Sequence, residues 1–184
     1  MASVPDMVKK QPTRIAVLFP GQGSQVVGML SELAETYPEI RDTFTEASTA
    51  LGEDLWVICQ DEDKLNQTQY TQPALLTASI AIWRILQQKI EDKPCYLAGH
   101  SLGEYSALCA AGVISLADAV KLVHKRGQLM QEAVAGVDTA MAAVLGLEDH
   151  RVENLCEQAT EHVDDAIVGA ANFNSPGQVV VSGN

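Results

Sequence analysis

Apolar positions along the chain gather first into a short continuous run, Ile15-Ala-Val-Leu-Phe19, which ends at Pro20-Gly21-Gln22-Gly23-Ser24-Gln25. A run of that length bounded by glycines reads as a buried strand emptying into a loop. Helices are expected near Ser31–Tyr37 and Glu39–Leu51. The strongest helical period lies in Thr71–Lys89, where Leu75, Leu76, Ser79, Ile82, Trp83 and Leu86 share one face and Pro73 suits a first turn. Cys95-Tyr-Leu-Ala98 reads as a second buried strand, and after it Gly99-His100-Ser101-Leu102-Gly103 opens an apolar helix to about Ala111.

Ser115-Leu-Ala-Asp118 resembles a capping box with Asp in place of Glu, so a helix is expected from there to about Val134. Its buried stripe would be Leu116, Val120, Val123, Gly127, Met130 and Val134. Beyond Gly136 the pattern changes to strand (Met141–Leu147), helix (Glu148–Ala159), strand (Ala166–Asn172), turn (Asn174-Ser-Pro-Gly177) and strand (Gln178–Ser182). That β-α-β-β order matches the first four elements of a ferredoxin-like lobe.

The composition narrows the function classes. The chain has 184 residues, 47% of them hydrophobic, with 12 Lys+Arg against 24 Asp+Glu for a formal net charge of −12. A chain of this size buries a real core, so disorder is not expected. Its acidity repels phosphate backbones and anionic membrane surfaces, which argues against nucleic acid and membrane as partners. No stretch is long and apolar enough to span a bilayer. Met1–Arg14 is polar and broken by Pro5 and Pro12, unlike a signal peptide. Cys59, Cys95, Cys109 and Cys156 are too scattered for zinc or a disulfide framework, so a reduced, cytoplasmic protein is expected.

The chemistry concentrates in Gly99-His-Ser-Leu-Gly103. A G-x-S-x-G between strand and helix permits the sharp turn that lifts a serine hydroxyl above a sheet edge, with a helix N-terminus beside it to stabilise an anion. The reaction it suits is acyl transfer. An ordinary β-α turn with a capping serine would use the same letters. Gly21-Gln22-Gly23 could instead open a dinucleotide fingerprint, but position 26, which should be small, is Val26.

Four separated segments, Phe19-Pro-Gly-Gln-Gly-Ser-Gln25, Gly99-His-Ser-Leu-Gly-Glu-Tyr105, Lys125-Arg-Gly127 and Ala171-Asn-Phe-Asn-Ser-Pro-Gly177, together resemble the bacterial malonyl-CoA:acyl carrier protein transacylases. The resemblance implies an α/β fold. Residues 1–136 would begin an α/β-hydrolase-like large domain with a parallel sheet, and 137–184 would begin a ferredoxin-like small subdomain. Both would be incomplete in this chain. It also implies transfer of malonyl from coenzyme A to the phosphopantetheine thiol of acyl carrier protein in fatty-acid synthesis. Malonyl-CoA and acyl carrier protein would be the partners of a monomer that needs no cofactor and no metal.

Carried over by position, the resemblance makes Ser101 the nucleophile and the backbone N–H groups of Gln22 and Leu102 the oxyanion hole. Arg126 would grip the free carboxylate of malonate, and His100 would shape the substrate site. A helical count places Arg126 about 80° from the centre of the buried stripe, at a core boundary. There an arginine can line a pocket or simply snorkel to water. A planar guanidinium suits a carboxylate because it donates two parallel hydrogen bonds. Lys121 and Lys125 fall on the solvent side of the same helix and are candidate contacts for an acidic carrier, though plain solubilising lysines fit equally well.

Serine needs a base. His124 lies on the Arg126 helix but on the opposite flank of the stripe, and His150 and His162 belong to a polar helix where solvated histidines are ordinary. In the family the base is a histidine that follows the small domain, so this sequence resembles an N-terminal portion. Two other readings stay open. One is an esterase or thioesterase using the same elbow, for which no HGGG-type motif is present. The other is a catalytically silent piece that binds acyl carrier or coenzyme A.

Overall fold

The computed structural model describes residues 14–94, 96–162, 165 and 167–184. In chain order the elements are β1 (Ala16–Phe19), α1 (Ser31–Thr36), α2 (Pro38–Leu51), α3 (Leu55–Ile58), α4 (Glu62–Leu65), α5 (Thr68–Lys89) and β2 (Tyr96–Gly99). They continue with α6 (Leu102–Ala110), α7 (Leu116–Ala133), β3 (Ala140–Leu145), α8 (Asp149–His162), β4 (Val168–Ser175) and β5 (Gln178–Gly183). The contacts divide the chain into two units, one up to Gln131 and one from Glu132 onward.

In the first unit β1 and β2 pair in parallel, with Ala16 opposite Tyr96 and Phe19 opposite Gly99. The expectation of two fully buried strands is corrected here. Phe19 is buried on Trp83 and Ala107, with Val17 and Leu97 packed around them, but Leu18 is 75% and Tyr96 67% exposed. Successive side chains of a strand point to opposite faces, and the described helices cover one face of this pair.

α5 also departs from the sequence reading. A single apolar stripe was expected, yet Thr71–Ala78 is buried without a break, followed by Ile80, Ala81, Trp83 and Ile85. Ile82 and Leu86, placed on the buried face, are instead more than a third exposed. The helix is packed on several sides at once, and α2, α3, α4 and α6 all touch it. The main core accordingly joins Ile40, Phe44 and Ala47 of α2 to Leu75 and Leu76 of α5, Leu102 of α6, and Val120 and Val123 of α7.

Pro73 is the sixth residue of α5 rather than part of its first turn. Having no N–H, it cannot bond to the carbonyl four residues back, that of Gln69. That carbonyl is taken by the His124 ring of α7, with Nδ1 2.8 Å away. A helix defect on α5 is thus repaired from α7.

Two short helices escaped the sequence reading. Each is too brief to show a 3.6-residue period, but each has an aspartate N-cap: Asp54 accepts from the Val57 N–H and Asp61 from the Lys64 N–H. The cap expected at Ser115 is present, with its Oγ accepting from the Asp118 N–H at 3.0 Å. The reciprocal half differs, because the Asp118 carboxylate takes the Ser115 hydroxyl, 2.6 Å away. Leu116, Val120, Val123 and Gly127 of α7 are buried as expected, whereas Met130 and Val134 are each 45% exposed.

The second unit is a three-stranded antiparallel sheet in the order β3-β5-β4. α8 packs Val152 and Cys156 onto Val179, against Val144, Val168, Ala170 and Val181. Only Pro176 and Gly177 form the β4–β5 turn, because Asn174 and Ser175 continue the strand. Gly177 supplies the positive φ, 77°, that the tight connection needs. Cys59, Cys109 and Cys156 are free thiols. Burial pushes the Cys59 thiol from an ordinary 9.0 up to about 12, so it stays protonated and inert. Cys95 lies outside the described residues. Among those described, no helix is long and apolar enough to cross a membrane, and no group of three or more His, Cys, Asp or Glu could hold a metal ion.

Candidate active site

Ser101 stands between β2 and α6 with φ 52° and ψ −108°. That is a strained conformation for a residue with a Cβ, costing on the order of 1–3 kcal/mol. It occupies the N-cap position of α6, yet its hydroxyl caps nothing in the helix and is exposed. A side chain normally used to satisfy the helix N-terminus is left free for chemistry.

The flanking glycines explain how the turn closes. A Cβ on Gly99 would run into the carbonyl of Gly103, and one on Gly103 would run into the carbonyl of Phe19. A Cβ on Gly21 would lie 2.9 Å from the His100 carbonyl oxygen and 3.1 Å from its Nδ1. The three glycines therefore press the loop after β1, the elbow and the start of α6 together at backbone distance. His100 sits against the first glycine loop, with its carbonyl and Nδ1 packed close to Gly21.

The loop after β1 is tied down by its own side chains. Gln22 Nε2 donates to Thr68 Oγ1 at 3.2 Å, Ser24 Oγ to the Gly21 carbonyl at 3.0 Å, and the Gly23 N–H to Gln25 Oε1 at 2.8 Å. Leu102, the first residue of α6, is fully buried, and its N–H belongs to the helix's opening turn, which has no acceptor four residues back.

Arg126 comes from α7. Gly127 beside it lets that helix approach the start of α5 closely, since a Cβ there would lie 2.6 Å from both Gln69 Cα and the Thr68 carbonyl oxygen. The approach delivers the half-buried guanidinium to the elbow. Arg126 Nη2 donates to Ser101 Oγ at 3.0 Å, Nη1 donates to Gln72 Oε1 at 2.9 Å, and the guanidinium carbon is 5.7 Å from the Tyr105 ring centre. The guanidinium is therefore held between Gln72 and the elbow by side-chain hydrogen bonds. Gln72, absent from the sequence reading, is the partner that sequence reasoning missed.

The histidines sort by their contacts. His124 is committed at both ring nitrogens, with Nδ1 on the Gln69 carbonyl and Nε2 3.0 Å from Gln128 Nε2. With Nδ1–H donating and Nε2 accepting, it has no lone pair for a serine proton. His150 lies 3.5 Å from Glu148 with its side chain 64% exposed, and His162 Nδ1 is 2.6 Å from the Gln158 carbonyl. Both belong to the second unit, as solvated residues of α8. Lys121 and Lys125 are exposed, as expected for the outer side of α7.

The family model for the acyl transferase domain matches residues 17–184. The chain belongs to the acyl transferase family. It is 55% identical over 174 residues to the malonyl CoA-acyl carrier protein transacylase of Escherichia coli K12, a match covering 94% of this chain and 55% of that protein. The Staphylococcus aureus protein of the same name is 44% identical over 174 residues, with the same coverage. Among solved structures, FabD from Acinetobacter baumannii superposes with a TM-score of 0.85 at 60% identity, covering 91% of this chain and 53% of that one. The malonyl CoA-acyl carrier protein transacylase of Coxiella burnetii gives 0.85 at 49% identity, covering 94% and 54%. The chain thus spans about half the length of the relatives it matches.

Proposed function

We propose that this chain supplies the nucleophile, the oxyanion hole and the carboxylate clamp of a malonyl-CoA:acyl carrier protein transacylase. The 3.0 Å contact between Arg126 Nη2 and Ser101 Oγ carries the reading, because it puts a carboxylate-binding cation within one short acyl group of the nucleophile. A simple esterase has no use for a cation there.

In the first half-reaction Ser101 Oγ attacks the thioester carbonyl of malonyl-CoA. The C–S bond breaks, coenzyme A leaves, and the serine proton passes through a base to the departing sulfur. The N–H groups of Leu102 and Gln22 receive the charge that develops on the carbonyl oxygen. In the second half-reaction the phosphopantetheine thiol of acyl carrier protein attacks the seryl ester and restores the Ser101 hydroxyl. The acyl group crosses between two thiols with no net change in bond type, so no cofactor is called for. His100 shapes the acyl site from its place against Gly21. The base follows the family pattern, a histidine beyond the second unit.

The β1–β2 pair with its helices supports an α/β-hydrolase-like large domain, and the β3-β5-β4 order with α8 on one face supports a ferredoxin-like small one. Intact-mass analysis after incubation with malonyl-CoA, and separately with acetyl-CoA, tests the reading. The expected result is a malonyl ester on Ser101 that is lost in Ser101→Ala and discharged by carrier protein. A malonyl adduct that persists on the Ala variant, or one discharged by water as fast as by carrier, overturns it.

A further inference from the structure

Gln72 is 0% exposed, deep in the first unit, on the turn of α5 that faces Arg126. A buried amide needs partners at both ends. Its Oε1 accepts from Arg126 Nη1 at 2.9 Å, and its Nε2 donates to Met130 Sδ at 3.3 Å. A thioether is a weak acceptor, so the bond to Arg126 is the one that justifies an amide at this depth. The amide orientation follows, because reversing it would turn an N–H towards the guanidinium N–H groups.

We propose that Gln72 is a positioning residue that sets the preference for carboxylated acyl groups, by holding the Arg126 guanidinium with its remaining N–H groups turned to the acyl site. This rests on Arg126 being the carboxylate clamp. The anchor is itself firm. Thr71 Oγ1 bonds to the Leu65 and Gln67 carbonyls beside it, and Gly127 seats α7 on the backbone of Thr68 and Gln69. Arg126 is thereby ordered before substrate arrives, and a side chain already ordered loses less freedom on binding.

The neutrality of the anchor matters as much as its position. A Glu in place of Gln72 would hold the guanidinium equally well but would pair with it, cancelling the charge that an incoming carboxylate needs. An apolar residue would leave the charge and release the geometry. Glutamine supplies an acceptor without a competing anion, so Arg126 keeps its full charge in a fixed place. Gln72 acts only through Arg126 and has no part in the chemistry at the carbonyl.

The test uses Gln72→Leu and Gln72→Glu in the full-length polypeptide. Rates of malonyl ester formation on Ser101 are measured against malonyl-CoA concentration. Labelling of Ser101 by phenylmethylsulfonyl fluoride, which has no carboxylate, serves as the reference. Loss of one hydrogen bond to a charged group should raise the half-saturating malonyl-CoA concentration roughly 10- to 100-fold in Gln72→Leu, and at least as much in Gln72→Glu. The saturating rate and sulfonyl fluoride labelling should change little. Unchanged half-saturation in both variants overturns the role of Gln72. So does a parallel fall in malonylation and labelling, which is the mark of a merely structural residue. A wild-type chain that labels with the sulfonyl fluoride but takes no malonyl ester overturns instead the transacylase reading beneath it.

Discussion

Replacing Arg126 by alanine should change which acyl group Ser101 accepts rather than whether it is acylated. The guanidinium makes two bonds in the free protein, to Ser101 Oγ and to Gln72 Oε1. The elbow is held by Gly99, Gly103 and Gly21, and the Leu102 N–H by the start of α6, so the proposed nucleophile and the proposed oxyanion-hole N–H should survive the substitution. On the proposed transacylase reading, the malonate carboxylate, in contrast, loses its charged partner. A hydrogen bond to a charged group contributes about 1.5–3 kcal/mol, and a bidentate pair sits at the upper end. At about 1.4 kcal/mol per factor of ten, malonyl ester formation should fall roughly 10- to 150-fold. Acetyl ester formation should hold steady or rise.

A second cost falls on stability. Gln72 Oε1, fully buried, is left without its partner, which costs about 1–3 kcal/mol unless water enters the space vacated by the arginine. Arg126→Lys should fall between wild type and Ala. An ammonium keeps the charge but cannot reach Gln72 and Ser101 at once with a planar fork. The assay compares malonyl-CoA and acetyl-CoA by intact mass over a concentration series, with thermal denaturation alongside. An equal fall for both acyl groups would show that Arg126 supports the elbow rather than selecting the substrate, and the reasoning would fail.

Three further outcomes follow from the same geometry. Ser101→Gly and Ser101→Ala should both be inactive, but the glycine variant should be more stable by about 1 kcal/mol in denaturant titration, because only glycine relaxes at φ 52° and ψ −108°; equal stabilities would mean the elbow is unstrained. Gly127→Ala should cost about 1–3 kcal/mol by overpacking α7 against the Thr68 and Gln69 backbone, and should weaken malonyl selectivity by displacing Arg126; a variant matching wild type in both melting and selectivity would refute it. Lys121→Glu with Lys125→Glu, both exposed on α7, should raise the apparent Michaelis constant for an acidic carrier protein and flatten its salt dependence; no change in either places the docking surface elsewhere.

What could be read from the sequence, and what could not, divides along the range of the interactions. The elbow was legible because its requirement is local: a strand, a turn too tight for a Cβ on either side of the serine, and a helix, all within a few residues. The caps at Ser115, Asp54 and Asp61 are local too, and the two missed helices had that signal in plain sight. The burial of α5 was not legible, because Thr71, Gln72 and Thr77 are polar letters whose partners a helical count cannot supply. Thr71 and Thr77 bond carbonyls nearby, but the acceptor on Gln72 makes sense only once Arg126, 54 positions later, is brought to it.

The same holds for His124. The helical count put it on the opposite flank of the stripe from Arg126, but its partners came only with the fold: the carbonyl that Pro73 leaves unbonded on a helix 55 positions earlier holds Nδ1, and Gln128 holds Nε2. Both corrections converge on one place, the opening turns of α5 between Thr68 and Pro73. There Thr68 holds the Gln22 side chain, Gln69 holds His124, Gln72 holds Arg126, and the Thr68–Gln69 backbone receives Gly127. Parts of two of the four sequence segments, Gln22 of the first and Arg126 with Gly127 of the third, are therefore held on a fifth segment that carries no catalytic letter. A change in that turn should disturb selectivity and loop position together while leaving the Ser101 hydroxyl where the glycines put it.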